Sequence, residues 1–210
     1  MVSYPAEKLK SALIHAADAI IAAEPELTRI DTVIGDGDHG TGMKTGFKAL
    51  KRELEASVYA TPYELFHESG LCLVKCMGGA SGVLFGTLLI GGLEEIKGLD
   101  SLNGPQLYSF LCGGIKDVQR RGKAKPGDKT MVDALLPAKA AMEQEMKASS
   151  DAIDILKAAV DGANEGVEAT KNMFPHVGRS KNFREKAVGW PDPGAVSVSV
   201  LLKGLLDGLQ

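Results

Sequence analysis

The segment Asp31-Thr32-Val33-Ile34-Gly35-Asp36-Gly37-Asp38-His39-Gly40-Thr41-Gly42 places three carboxylates within eight residues, interrupted by glycine. Asp31, Asp36 and Asp38 cannot crowd together ionised without a counter-charge. A bound divalent cation resolves that repulsion, and an all-oxygen donor set favours Mg²⁺, Ca²⁺ or Mn²⁺. The alternative is a solvated acidic turn, since Asp and Gly are good turn formers. Three familiar patterns fail here. Gly35-x-Gly37-x-x-Gly40 fits a dinucleotide fingerprint, yet it carries two aspartates that repel a pyrophosphate, and no βαβ unit follows. Read as a calcium loop from Asp36, the sixth position is Thr41 and the twelfth Phe47, where Gly and Glu are required. Met43-Lys44-Thr45 lacks the glycine that precedes the lysine of a phosphate-binding P-loop.

Two glycine clusters open helices: Gly40-Thr41-Gly42 and Gly78-Gly79-Ala80-Ser81-Gly82. A helix N-terminus offers unpaired N–H groups and the positive end of the helix dipole, which suit phosphate oxygens. Glycine admits those oxygens to the backbone, and Thr41 and Ser81 add hydroxyl donors. Beside an acidic loop, two such starts point to a magnesium polyphosphate; taken singly, each also reads as close helix packing. The basic turn Arg120–Met131 reads as a solvated charged connection for most of its lysines, with Met131 a core side chain or a soft surface for a base ring. Cys72 and Cys76 lie four apart and Cys112 far away. Lacking a four-ligand set, they read as small buried thiols rather than a metal site.

The elements that must position these residues are helical. Ile153, Leu156, Val160, Ala163, Val167 and Thr170 recur at 3-4 spacing, with Ser149 or Ser150 to cap the start. Thr61-Pro62-Tyr63-Glu64 reads as a capping box, and Asn103-Gly104-Pro105-Gln106 as a weaker version of it. Helices are expected near residues 4–23, 40–58, 62–77, 80–98, 104–122, 129–147, 151–173 and 194–209. Thr28–Ile34 is short and β-rich, too isolated to build a sheet. Short connections between these helices predict an all-α, eight-helix antiparallel up-and-down barrel. The stretch Pro175–Pro193 has no such pattern, and loops of that length are commonly functional or disordered.

The 210 residues suit a single domain spanning 1–210. Hydrophobic residues at 44% and charged ones at 24% exclude disordered and fibrous classes, and a net charge of −3 gives no field to hold nucleic acid or an anionic membrane. Without an early apolar run, neither a signal peptide nor a membrane span is expected, and three cysteines fit a reducing cytoplasm. There are 25 glycines against 5% aromatics, and the glycine clusters suggest loops where backbone approaches a ligand.

Together, the acidic loop, Gly78–Gly82 with Phe85-Gly86-Thr87, Arg121–Ala124 with Pro126–Met131, Gly178-Arg179-Ser180 and Asp192-Pro193-Gly194-Ala195 closely resemble the nucleotide-binding L subunit of dihydroxyacetone kinases. The resemblance implies an eight-helix barrel with ADP or ATP and two Mg²⁺ ions at one end. By it, Asp31, Asp36 and Asp38 hold the metals. His39, Gly40, Thr41 and Gly42 form a first phosphate loop, and Ala80 and Ser81 a second. Gly122 and Met131 fall at the adenine pocket, and Arg179 with Asp192, Pro193 and Gly194 in the loop covering the nucleotide. This chain departs from the family's commonest pattern at Thr41-Gly42 and over Lys181–Trp190.

In the bacterial system the resemblance points to, a separate K subunit holds dihydroxyacetone, and a phosphotransferase-system protein, the M subunit, rephosphorylates bound ADP. Arg179 and His39 are then the candidate catalytic side chains: Arg179 stabilises charge on the transferring group, and His39 bonds a phosphate oxygen or braces a metal ligand. A turn histidine facing solvent is the plainer reading of His39. Two other functions stay open: the nucleotide subunit of a two-chain ATP-dependent ketose kinase, acting on dihydroxyacetone or a tetrulose, and a nucleotide-state sensor docking on a transcription regulator. A homodimer also stays open. Replacing Arg179 with alanine is expected to lower turnover by about 10²-fold or more while changing nucleotide affinity less; a loss confined to affinity removes the transition-state role.

Overall fold

The computed structural model describes residues 2–178, 180–183 and 185–210, without the side chain of Phe183. Among them are eight α-helices: α1 (Ala6–Ile34), α2 (His39–Ala56), α3 (Pro62–Cys76), α4 (Gly79–Ile90), α5 (Gly104–Gly122), α6 (Val132–Glu145), α7 (Ala152–Thr170) and α8 (Pro193–Leu209). Each packs on the next in the chain, and α8 closes the ring against α1. This is the expected all-helical barrel. A two-stranded antiparallel ribbon, β1 (Ser3–Pro5) with β2 (Ser101–Asn103), ties the N-terminus to the entry of α5.

The largest departure from the sequence reading is α1. It does not stop near residue 23 but runs through Pro25 to Ile34. Proline removes one helical donor and crowds the preceding turn. Leu27, Ile30 and Ile34, all at most 1% exposed, nevertheless continue the buried stripe begun by Leu9, Leu13 and Ile20. Burial of those side chains outweighs the β preference of Thr28, Thr32 and Val33, and the Thr32 hydroxyl is satisfied within the helix by the Thr28 carbonyl at 2.8 Å.

Other boundaries shift by up to eight residues, most at the end of α4. The apolar stretch from Gly79 is long and apolar enough to cross a membrane by composition alone, but half of it is buried here, and its helix ends at Ile90 before a 3₁₀ turn over Leu93–Ile96. Asn103 and Gln106 form the fully reciprocal capping box. At Thr61 the Glu64 carboxylate instead takes the Ala60 amide. Asp151, not Ser149 or Ser150, caps α7 by accepting from the Ile153 amide at 2.8 Å. Cys72 is half-buried and Cys76 exposed, so the pair is not the buried one the sequence suggested.

The core is built of Leu, Ile and Ala with few rings, among them Phe47 edge-on to Phe85 and Phe66 tilted on Phe110 at 4.2 Å. Glycines let the helices approach this closely. Gly70 of α3 and Gly86 of α4 lie against each other's backbone, as do Gly204 and Gly208 of α8 against Ala16 and Ala12 of α1. A Cβ on Gly204 would lie 2.5 Å from the Ala16 Cα, whereas one on Gly42 would meet nothing within 4 Å. Gly204→Ala is therefore expected to lower unfolding free energy in urea by about 1–3 kcal/mol, while Gly42→Ala leaves it unchanged or raises it by up to about 1 kcal/mol.

Candidate functional site

The connectivity brings every even helix to the same rim. α1, α3, α5 and α7 end there, and α2, α4, α6 and α8 begin there, so four helix N-termini gather at one mouth of the barrel. Between them is a cavity of about 550 Å³, within the range of small-ligand sites. Asp38 at the start of α2 makes no side-chain capping bond, and α4 starts at Gly78, which has no side chain to make one. Neither N-cap residue therefore caps its own helix through a side chain, and at the start of α2 the His39 amide is taken by Asp31 instead. On the cavity side, Gly42, Gly78 and Gly79 leave open space where a Cβ would stand.

The acidic loop is shaped by its glycines and by the extra turns of α1. Asp31 sits on the last helical turn and is only 6% exposed. Gly35 occupies the place beside it where any Cβ would strike the Asp31 carboxylate, and Gly37 makes the reversal with φ +77°. Asp31 Oδ2 accepts the His39 amide at 3.0 Å, tying the end of α1 to the start of α2. One carboxylate oxygen from each of Asp31, Asp36 and Asp38 falls within 4.8 Å of the others. Three hard anionic donors at that spacing fit Mg²⁺ or a similar oxygen-seeking cation.

His39 does not face solvent. Its Nε2 lies 2.8 Å from Ser197 Oγ on α8, and Ser81 Oγ on α4 lies 3.4 Å from its Nδ1. The Ser197 hydroxyl already donates to the Pro193 carbonyl at 2.9 Å. The ring therefore donates from Nε2 and accepts at Nδ1. Burial pushes the imidazole below its usual pKa, against the opposing pull of Asp31 and the Pro193 backbone. The hydroxyls expected to face phosphate are engaged within the protein: Thr41 donates to the Asp38 carbonyl at 2.9 Å, and Ser81 to His39.

Of the residues singled out from sequence, Asp31, Asp36, Asp38, His39, Thr41, Gly42, Ala80, Ser81, Met131, Asp192, Pro193 and Gly194 line the cavity together. Gly40 stands behind its wall, packed on Glu24 and Thr28 of α1, and Gly122 reaches it only through Leu84, 3.3 Å from where a Cβ would be. Arg179 lies outside the described residues. Thr45, Leu84, Lys129 and Thr130 also line the cavity. Helical spacing from Thr41 and from Ala80 and Ser81 marks Thr45 and Leu84 in the sequence.

The basic turn is solvated for most of its lysines, as expected, and Lys129 is the exception. Lys123 and Lys125 are exposed, but Lys129 is 1% exposed, in left-handed backbone with φ +60°. Burial pushes its amine below the usual range, with Asp192 and Asp133 pulling it back. Asp192 caps α8 by accepting the Ala195 amide at 2.7 Å. Burial pushes its carboxyl up to about 7, against the lowering effect of that amide and of Lys129. A carboxyl whose folded pKa exceeds its unfolded value contributes stability that is fully present below about pH 4 and is lost as pH rises through about 7. Metal-free protein should therefore lose unfolding free energy over that window with a slope of up to about 1.4 kcal/mol per pH unit. Asp192→Asn should flatten the slope in urea titrations; an unchanged slope assigns it to another group.

A family model described as the DAK2 domain matches residues 33–207. The chain is 34% identical over 195 residues to the ADP-binding subunit DhaL of PEP-dependent dihydroxyacetone kinase 2 from Listeria innocua, covering 91% of this chain and 90% of that one. It is 37% identical over 201 residues to D-erythrulose kinase from Mycolicibacterium smegmatis, covering 91% of this chain and 33% of the other. The crystal structure of the dihydroxyacetone kinase from C. freundii in complex with AMP-PNP and Mg²⁺ shares the fold with a TM-score of 0.75 at 25% identity, over 95% of this chain and 33% of that one. The chain thus spans about a third of the length of these two larger kinases. With the family match covering Asp36, Asp38 and the start of every even helix at the rim, the chain belongs to the DAK2-domain family, that of the L subunits of dihydroxyacetone kinases.

Proposed function

We propose that this chain is the ADP/ATP-binding subunit of a dihydroxyacetone kinase. In this reading it passes a phosphoryl group from a phosphotransferase-system phosphoprotein, through bound nucleotide, to dihydroxyacetone held on a separate K subunit. The observation that carries it is the meeting of three carboxylates within 4.8 Å with the N-termini of four helices around one nucleotide-sized cavity. Carboxylates alone would repel a polyphosphate and helix N-termini alone would attract any anion. Asp31, Asp36 and Asp38 would hold two Mg²⁺ ions, which when bound supply the charge neutralisation that phosphoryl transfer requires.

The chain's own residues then position the nucleotide. The amides at the start of α2 and α4, around Thr41-Gly42 and Ala80-Ser81, hold the phosphates. Met131 and Leu84 give an apolar wall to the base, backed by Gly122, and Gly194 adjoins Met131 on that wall. His39, braced between Ser81 and Ser197, holds the Asp31 carboxylate through its amide. Arg179 would stabilise charge on the transferring group.

Likeness to an erythrulose kinase favours a second reading, the nucleotide subunit of an ATP-dependent ketose kinase. Donor and retention separate the two. A subunit recharged by a phosphoprotein retains ADP through purification and transfers phosphate to K-bound ketose when given the phosphorylated M protein. The ATP-dependent form exchanges nucleotide with solvent and needs only ATP. Asp36→Asn should lower Mg²⁺-dependent nucleotide retention by about 10²-fold; retention and turnover at the unmodified level would sink the metal assignment.

A further inference from the structure

Lys129 is a buried cation whose ammonium reaches two backbone carbonyls from different parts of the chain. It donates to Thr170 at the C-terminal end of α7 and, at 2.6 Å, to Trp190 just ahead of α8. These two residues bracket the long segment that rises beside the cavity between α7 and α8. The same neck carries two more bonds: the Gly189 amide donates to the Lys171 carbonyl at 2.8 Å, and the Asp192 amide to Thr170 Oγ1 at 3.0 Å. Thr170 is thus the shared node, its carbonyl taken by Lys129 and its hydroxyl by the Asp192 amide.

The lysine is itself held in place. Asp133 on α6 accepts the Gly127 amide at 2.6 Å and the Thr130 amide at 2.8 Å, closing the turn on both sides of Lys129. A non-glycine residue in left-handed backbone persists only where its surroundings over-determine it, and here one buried carboxylate does so. On the outgoing limb, the His176 amide donates to the Asp128 carbonyl at 3.2 Å. On the returning limb, Ala187 is buried with Ile30 and Ile34 of α1, next to Trp190, whose ring lies 5.0 Å from the Arg29 guanidinium. The segment between the limbs is therefore fastened at its base and along its return.

We propose that Lys129 is a positioning residue: its ammonium fastens the neck of the 171–191 segment and so sets Asp192-Pro193-Gly194 against the cavity. The proposal rests on the nucleotide reading for its consequence, but not for its geometry. Methionine at 129 keeps the length and loses both charge-assisted bonds: the Trp190 carbonyl loses its lysine partner, and the Thr170 carbonyl keeps only the Met173 amide at 3.1 Å.

The test uses the intact chain. Trypsin cleavage within residues 179–186 is compared with cleavage elsewhere, in the unmodified protein and in Lys129→Met, without nucleotide. Cleavage in that segment should rise by at least about ten-fold in the variant. Affinity for Mg²⁺–ADP should weaken by a similar factor, with turnover at saturating nucleotide changing less. Unchanged cleavage, or unchanged affinity in a chain that binds Mg²⁺–ADP, overturns the proposal. If Lys129→Met does not fold, amide exchange on the unmodified protein decides it. Gly189 and Asp192 amides that exchange together with the last turn of α7 support the staple; exchange as fast as that of 180–183 overturns it. Cleavage and exchange need no nucleotide, so failure of the nucleotide reading leaves them interpretable.

Discussion

Mutual repulsion among three carboxylates governs the architecture at the open end of the barrel. At about 4 Å two like charges repel by about 1 kcal/mol in water and about 4 kcal/mol near a protein surface. One carboxylate oxygen from each of Asp31, Asp36 and Asp38 lies at comparable spacing, with Asp31 buried and the other two exposed. Asp31 is fixed on the last turn of α1, Gly35 clears the space beside it, and the His39 amide bonds its oxygen. Such an arrangement persists because opposite charge is available around it. The positive ends of the helix dipoles at this mouth supply part of it, and a bound divalent cation fits the remainder.

The fold makes that supply unavoidable. In an up-and-down ring of eight helices, all even helices must start at the same end. Four N-termini then converge whatever sequence they carry, and sequence decides only which are capped. Asp192 caps α8 with its own side chain, while the N-cap residues of α2 and α4 make no such bond. The glycines divide along the same line. Gly42, Gly78 and Gly79 face open space at the cavity, whereas Gly70, Gly86, Gly204 and Gly208 face a neighbouring helix backbone. An abundance that suggests ligand loops in the sequence is in large part the means by which a core poor in aromatic rings is brought to close packing.

Lys129 and Asp192 show how the two ends of the chain's long connection meet. One residue precedes α6 and the other α8, yet each perturbs the other's charge. Both also attach to Thr170, Lys129 through its ammonium and Asp192 through its backbone amide. A cation that solvates freely in an isolated turn is here enclosed by α7 and the return of the connecting segment.

The sequence alone determined what depends on residue type and short spacing. Aspartates interleaved with glycine mark a cation site because crowded charge needs a counter-charge. Repeats at 3-4 spacing mark helices because only one face can be buried, and short connections mark antiparallel neighbours. It misjudged the end of α1, since local β preference in Thr28–Ile34 says nothing of the burial that Leu27, Ile30 and Ile34 find against distant elements. It did not single out Lys129 from the solvated lysines of its turn, because the carbonyls of Thr170 and Trp190 lie 41 and 61 residues away. Tertiary structure decided the gathering of the four helix starts, the seating of His39 between two serines, and the wall positions of Thr45 and Leu84. Those are relations between segments far apart in the chain. Their free energy comes from desolvation and hydrogen bonding that exist only once the ring has closed.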